Sequence, residues 1–406
     1  MELKSPEYIC LCILGFVLML IQGMQLPLMS PFARTLTNSL VLIGLVSTAY
    51  WASRMISEFP IGFLSDRISK IKLVMTGIFI SGVTTTLTSF VSSIFELFVL
   101  RVFAAAGSVL FFLASLSYIA EHFPSRRRGK ALGILQAIEF TTVSAASSLG
   151  GWLGAALGFR PTFMIGGIIL LCALIPTTIL KPFSRQKSIE YQETPTAPSD
   201  LHRSQKVSKS LAYECLSIAS FSIFIAQFPE CLITVLAPLY AMQTLKMNLA
   251  DVGIMLATRG VGIGIGAVLG GFLFDRFYPR WHPLNYVFAF IAMELAIFLF
   301  VGTDVLVILA LSVFLMGLSF GLVYSTTPAL AAAAATKSLG ASMGIWRTFF
   351  DLGGMLSPLV VMSIAERESL IAPFHVILKT FILVVGFFVA YLVFNRLRFH
   401  GKDFTN

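Results

Sequence analysis

The chain has 406 residues, of which 57 % are hydrophobic and only 12 % charged, with a formal net charge of +9. A water-soluble domain carries roughly 25 % charged residues, so this composition argues against one. The apolar residues gather in long runs, such as 73–91, 163–180 and 381–394.

A helix needs about 20 apolar residues to cross a bilayer. Inside hydrocarbon only helices and closed barrels satisfy their own backbone, and these runs lack the period-two alternation of barrel strands. The chain therefore reads as an all-α membrane protein. Spans are predicted near 8–30, 40–63, 72–92, 96–121, 130–154 and 161–181, then near 211–240, 249–273, 284–302, 305–331, 339–365 and 373–394. Pro31 and Pro328 are expected to interrupt or bend their segments. The organisation is a six-helix bundle over 1–181, a linker over 182–210 and a second six-helix bundle over 211–406. The linker is rich in Ser, Thr, Pro and charge. It has too little apolar surface to form a core and is expected to be flexible.

Lysine and arginine in the loops set the orientation. With the N-terminus inside, 20 of them fall on the cytoplasmic side and 5 on the other. Both termini are then cytoplasmic. The net charge becomes a topology signal, and no nucleic-acid partner is expected. The five cysteines all fall in predicted spans, without metal-ligand spacing, so neither a disulfide framework nor a metal site is expected. No cofactor is expected either. The stretch "GVGIGIGAVLGG" lacks the preceding strand and following acid of a dinucleotide site. Its Gly262, Gly266 and Gly270 instead recur every fourth residue, as a helix-packing face does. No phosphate-binding loop for ATP is present.

"GFLSDR" (Gly62–Arg67) returns 209 residues later as "GFLFDR" (Gly271–Arg276). The same offset sets Gly44 on Gly253. An offset of 211 sets Gly129 on Gly340 and Gly133 on Gly344. A parallel repeat of two six-helix halves is expected, with a path between them.

The Gly-x-Leu-x-Asp-Arg loop between the second and third helices, with Lys70 and Lys72 after it, resembles the signature of the major facilitator superfamily. Its echo between helices eight and nine, and "RRRGKALG" (Arg126–Gly133) before helix five, resemble that family too. Ser69 departs from the pattern, as does "FYPR" after the second copy. The resemblance implies twelve transmembrane helices in two pseudosymmetric bundles and alternating access by rocking. It implies gating roles for Gly62, Asp66, Arg67, Gly271, Asp275 and Arg276. The glycines would permit close helix approach, and the carboxylates would accept hydrogen bonds that close the cytoplasmic side.

Charged residues within spans are the candidates for substrate binding or coupling: Arg54, Glu58, Arg101, Glu139, Glu230, Arg259, Arg347 and Asp351, with Glu294 in a more peripheral helix. Arg54 with Glu58, and Arg347 with Asp351, stand at i, i+4 and so share a helix face. Each pair reads either as a structural ion pair or as an electropositive site freed by protonation. Arg101 resembles the helix-four arginine of proton-coupled members, although Ala104 and Ala105 replace the expected Gln and Gly. Helix five resembles the glycine-rich motif of drug–proton antiporters at Gly150 and Gly151, with Ala146 and Ser147 in place of Gly and Pro. Pro358 stands at the equivalent place in helix eleven.

The functional expectation is a secondary active transporter for a small molecule, coupled to a proton or another ion. Export of amphipathic compounds along Met24, Phe111, Phe112 and Trp346 is slightly favoured. The alternatives are proton-coupled uptake of a small anion and a non-transporting sensor or assembly factor on the same fold. No enzyme activity is expected. The partners are the substrate, the coupling ion and the lipid bilayer. A monomer in a prokaryotic inner membrane is expected.

Overall fold

The computed structural model describes residues 5–123, 125–175, 209–277, 283–334 and 339–400. Among them every regular element is helical. The first half contains α1 (Pro6–Leu36), α2 (Leu40–Arg67), α3 (Lys70–Thr88), α4 (Ile94–His122), α5 (Ser125–Leu157) and α6 (Phe159–Cys172). In the second half α7 runs over Lys209–Cys231, makes a π-helical turn at Leu232–Leu236 and resumes over Ala237–Gln243. Then follow α8 (Leu249–Phe277), α9 (Pro283–Val301), α10 (Leu306–Ala333), α11 (Leu339–Arg367) and α12 (Ala372–His400). Ten of these are long and apolar enough to cross a membrane, and the described part of α6 is a shorter apolar helix.

Local chemistry sets the helix ends. The α4 start is a capping box, in which Ser93 and Glu96 satisfy each other's backbone N–H. At the start of α8, Asn248 Oδ1 accepts from the Asp251 N–H at 2.8 Å. Gly158, at φ 88°, supplies the left-handed residue between α5 and α6. Pro27 and Pro31 do not end α1, which continues to Leu36. Both prolines are buried, so packing rather than backbone hydrogen bonding holds the helix there. Pro328 likewise lies inside α10. The basic run Arg126–Lys130 belongs to the backbone of α5 rather than to a loop before it.

The contacts repeat with a period of six helices. In the first half α1 packs on α5, α2 on α4, and α3 on both α4 and α6. In the second half α7 packs on α11, α8 on α10, and α9 on both α10 and α12. Two main crossings join the halves, α2 with α11 and α5 with α8, and these are also symmetry mates. The chain is thus a major facilitator fold of two pseudosymmetric six-helix bundles.

Glycine makes the close approaches. A Cβ built on Gly44 of α2 would lie 2.7 Å from the Pro358 carbonyl oxygen of α11. A Cβ on Gly253 of α8 would lie 2.7 Å from the Ser147 carbonyl oxygen of α5. Ser147 and Pro358 are 211 residues apart, so the two crossings use equivalent points of the repeat. The predicted face of α8 is real. Gly262, Gly266 and Gly270 meet Phe314, Leu318 and Leu322 with Ser325 of α10, while Gly317 and Gly321 of α10 meet Arg259 and Ile263 of α8. By contrast, a Cβ on Gly62 or Gly271 would meet nothing within 4 Å among the described residues.

The buried apolar residues form two clusters. The first contains the second half's core together with Leu28, Met29, Phe32, Leu40, Ile43, Val46, Leu97 and Phe163 of the first half. These first-half members all lie toward the end of the bundle away from the chain termini, here called the far end. The second cluster holds first-half residues at the terminus end, such as Tyr8, Leu11, Ile61, Leu73, Ile119 and Leu135. The halves therefore share one core at the far end and have separate cores at the terminus end.

Glycine at the crossings is a testable constraint. Gly253→Ala is expected to lower the detergent melting temperature, because overpacking costs about 1–3 kcal/mol. Gly264→Ala, where an added Cβ meets nothing within 4 Å among the described residues, is expected to leave it unchanged or raise it slightly through helix propensity. Equal shifts in both variants would refute the close-contact role of Gly253.

Candidate functional site

The helical repeat brings Arg54 and Glu58 to one face of α2, and Arg347 and Asp351 to one face of α11. The crossing of these helices turns the two expected pairs into one four-membered ring. Arg347 donates to Glu58 Oε1 from Nε at 3.1 Å and from Nη2 at 2.9 Å. Arg54 Nε lies 3.5 Å from Asp351 Oδ1. The same-helix distances are comparable or longer, 3.8 Å for Arg54 to Glu58 and 3.4 Å for Arg347 to Asp351. The ring is neutral, and each half supplies one cation and one anion. Asp351 is only 1 % exposed. Burying such groups is tolerable only because each charge faces an opposite one.

Aromatic rings pack beside the charge ring. Trp51 packs on Gly354, where an added Cβ would lie 2.5 Å from the indole, and meets Phe350 edge-on at 5.6 Å. Arg54 lies 5.6 Å from the Trp51 centroid and Arg347 5.0 Å from that of Phe350. Trp346 and Tyr324 extend this aromatic group.

Arg101 of α4 stands differently. Its Nη1 donates to Gln25 Oε1 at 3.3 Å, and its guanidinium lies 4.5 Å from the Tyr50 centroid. Gln25 is held in turn by donating to Thr85 Oγ1 at 3.2 Å. One turn away on α1, Gln22 donates to Ser108 Oγ at 2.6 Å. Arg101 Nε is buried without a hydrogen-bond partner. No carboxylate among the described residues pairs with Arg101. The second half is balanced instead, since Arg259 of α8 donates from Nε and Nη2 to Glu230 of α7. Glu230 lies two residues before the π turn, with Pro229 before it.

The remaining candidates are more dispersed. Arg67, Asp275 and Arg276 are exposed in the last turns of α2 and α8 and make no ion pair among the described residues. The side chains of Asp66 and Glu139 lie outside the described residues. Phe111 and Met24, expected as lining, are core residues. Phe111 packs edge-on against Phe112 and is fully buried, and Met24 sits on Gly150. Glu294 has a buried Oε1 without a hydrogen-bond partner. No group of three or more metal-ligating side chains gathers among the described residues. Gln25 and Tyr50 were not singled out from the sequence. The usable signal was a pair of glutamines, Gln22 and Gln25, on one face of an otherwise apolar helix.

Comparison with known proteins places the chain. The family model described as Major Facilitator Superfamily matches residues 11–358 and 216–403. An uncharacterised MFS-type transporter of Methanocaldococcus jannaschii is 26 % identical over 94 % of this chain and 96 % of its own length. A probable galactarate/D-glucarate transporter of Bacillus subtilis is 24 % identical over 79 % of this chain and 76 % of its own. An MFS-type efflux pump of Mycolicibacterium smegmatis is 32 % identical over 49 % of this chain and 46 % of its own. The fold matches the crystal structure of a bacterial homolog of the human lysosomal transporter Spinster with a TM-score of 0.76, at 16 % identity, over 98 % of this chain and 97 % of that one. The hexapeptide repeated in both halves, the contact pattern with its period of six helices and the family match agree, and this chain belongs to the Major Facilitator Superfamily.

Proposed function

We propose that this protein is a secondary active transporter that carries a small organic anion by alternating access, with Arg101 as the anchor for the substrate's charge. The observation that carries this reading is a buried cation held by neutral groups. Arg101 is held in place by Gln25 and Tyr50, and no carboxylate among the described residues pairs with it. A charged side chain at membrane depth is costly and marks a functional site by default. A carboxylate fits a guanidinium through two parallel hydrogen bonds. The cargo named for the Bacillus subtilis relative, galactarate and D-glucarate, is dianionic. Export of amphipathic compounds is the second reading, favoured by the likeness to an efflux pump. The core positions of Phe111 and Met24 weigh against it.

On this reading the halves 1–181 and 211–406 rock about the two crossings, joined by the linker 182–210. Both termini are cytoplasmic, in a prokaryotic inner membrane, and the conformation described is closed at the far, outer end. Arg67, Asp275 and Arg276 are exposed on that side and are assigned to its gate. Coupling is assigned to the carboxylates that hold arginines, Glu58 and Asp351 in the ring and Glu230 beside Arg259. Protonating one of them releases its arginine.

Two outcomes test this reading in proteoliposomes. The first assay measures uptake of D-glucarate, a panel of mono- and dicarboxylates, and a lipophilic cation. Carboxylate transport is expected in the parent. Arg101→Ala is expected to abolish it, and Arg101→Lys to raise KM by roughly tenfold through loss of the planar fork. Transport of the cation alone, or normal carboxylate transport by Arg101→Ala, would refute the reading. The second assay compares substrate counterflow with accumulation driven by an imposed proton gradient. Glu58→Gln is expected to keep counterflow and lose driven accumulation. Unchanged accumulation would remove Glu58 from the coupling path.

A further inference from the structure

At the far end of the α2–α11 crossing, Glu366 of the second half reaches the N-terminus of α2 in the first. Its carboxylate accepts from Ser39 Oγ at 2.9 and 3.1 Å and from the Val41 N–H at 2.5 Å. The first N–H groups of a helix have no partner within it, and its N-terminus favours negative charge. The start of α2 also has a cap of its own half, since Ser39 Oγ accepts from the Leu42 N–H at 3.3 Å. The equivalent helix of the other half, α8, is capped from within by Asn248. The reach of Glu366 across the halves is thus an addition to local capping.

We propose that Glu366 is a latch that holds the far side closed and releases when that side opens. The inference rests on the proposed alternation between two conformations, and on lever length. Glu366 lies eight residues beyond Pro358, the point where α11 meets Gly44, about 12 Å along α11 at 1.5 Å per residue. A rock of roughly 10° about this crossing parts such a contact by about 2 Å, beyond hydrogen-bond range. Thr48, which donates to the Met355 carbonyl at 2.9 Å beside the crossing, moves less under the same rotation. The rim contact therefore discriminates more strongly between the two conformations than the contacts at the crossing. The latch pairs an acidic side chain with a helix N-terminus, so it breaks without leaving a buried charge behind, because both partners return to water at an exposed rim.

The test is labelling of a single cysteine at Leu249, a residue buried at the far end between α8 and Gly154 of α5. The background replaces Cys10, Cys12, Cys172, Cys215 and Cys231 with Ala. A membrane-impermeant maleimide reports far-side opening without any substrate, so a failed latch leaves the anion reading untouched, and the reverse also holds. Glu366→Ala is expected to raise the labelling rate at least fivefold. Ser39→Asp gives α2 a strong cap of its own and faces Glu366 with a like charge, so it is expected to raise the rate as much while α2 stays capped. Faster labelling in both variants supports the latch. An unchanged rate in Glu366→Ala overturns it. A rise in Glu366→Ala but not in Ser39→Asp also overturns it, because Glu366 would then only cap a helix. If Glu366→Ala does not fold, judged by its detergent melting temperature, Ser39→Asp decides alone on the same criterion.

Discussion

Backbone-to-backbone contact at two helix crossings sets the terms for the rest of this molecule. The halves meet mainly where Gly44 lies on the Pro358 carbonyl and where Gly253 lies on the Ser147 carbonyl. Lipid tails are as apolar as the helix surfaces, so no hydrophobic force draws the bundles together. Close approach must supply the attraction, and only a missing Cβ permits it. Such a contact is short and narrow, and helices can rotate over it while larger side chains around it exchange partners. The shared core lies to one side of these crossings, and the terminus side has separate cores. A short joint of this kind, with a shared core to one side of it, suits rotation better than rigidity.

Charge obeys a second constraint at the same depth. Each half brings one cation and one anion to the α2–α11 ring, and every charge gains a second partner across the crossing. The Arg259–Glu230 pair is neutral within one half. Arg101 breaks this pattern. The repeat clarifies why. An offset of 209 puts Arg259 on Tyr50, so the two halves place a cation and an aromatic ring at matching positions. The first half then brings its cation from α4 and lays it over that ring. The hydrogen-bond partner of that cation is Gln25 of α1, whereas Arg259 has Glu230 of α7. An amide holds the guanidinium in place without neutralising it.

Much of the architecture was legible in the sequence because its signals are local. Apolar runs located the helices, and the twin hexapeptides located the repeat. The every-fourth-residue glycines announced the α8–α10 contact before the structure located Phe314 and Leu318 beneath them. The site was harder to read because its logic is not local. Spacing i, i+4 correctly put Arg54 beside Glu58 and Arg347 beside Asp351, but periodicity along one helix says nothing about which face meets another helix. The shortest ion-pair contact in the ring joins residues 289 positions apart. Glu366 went unremarked for the same reason, as an acidic residue at a loop edge looks like ordinary surface until α2 is placed against it. Phe111 and Met24 show the converse error. An aromatic or methionine within a span has no local mark that separates core from cavity.

The two constraints meet in one geometric consequence. Each ring arginine has a carboxylate on its own helix as well as across the crossing, so a shift of one half against the other leaves every ring charge a partner. Contacts at the exposed rim need no such second partner, because a broken hydrogen bond there is replaced by water at small cost. The protein thus keeps its costly charges doubly paired and its inexpensive contacts at the rim. Arg101 lies outside both groups. It is at membrane depth and off the α2–α11 crossing, and it is ordered by neutral partners. Neutral partners fix its direction without cancelling its charge. On the proposed anion reading that combination suits a binding group, because a carboxylate held by the guanidinium would have to be displaced at every turn of the cycle.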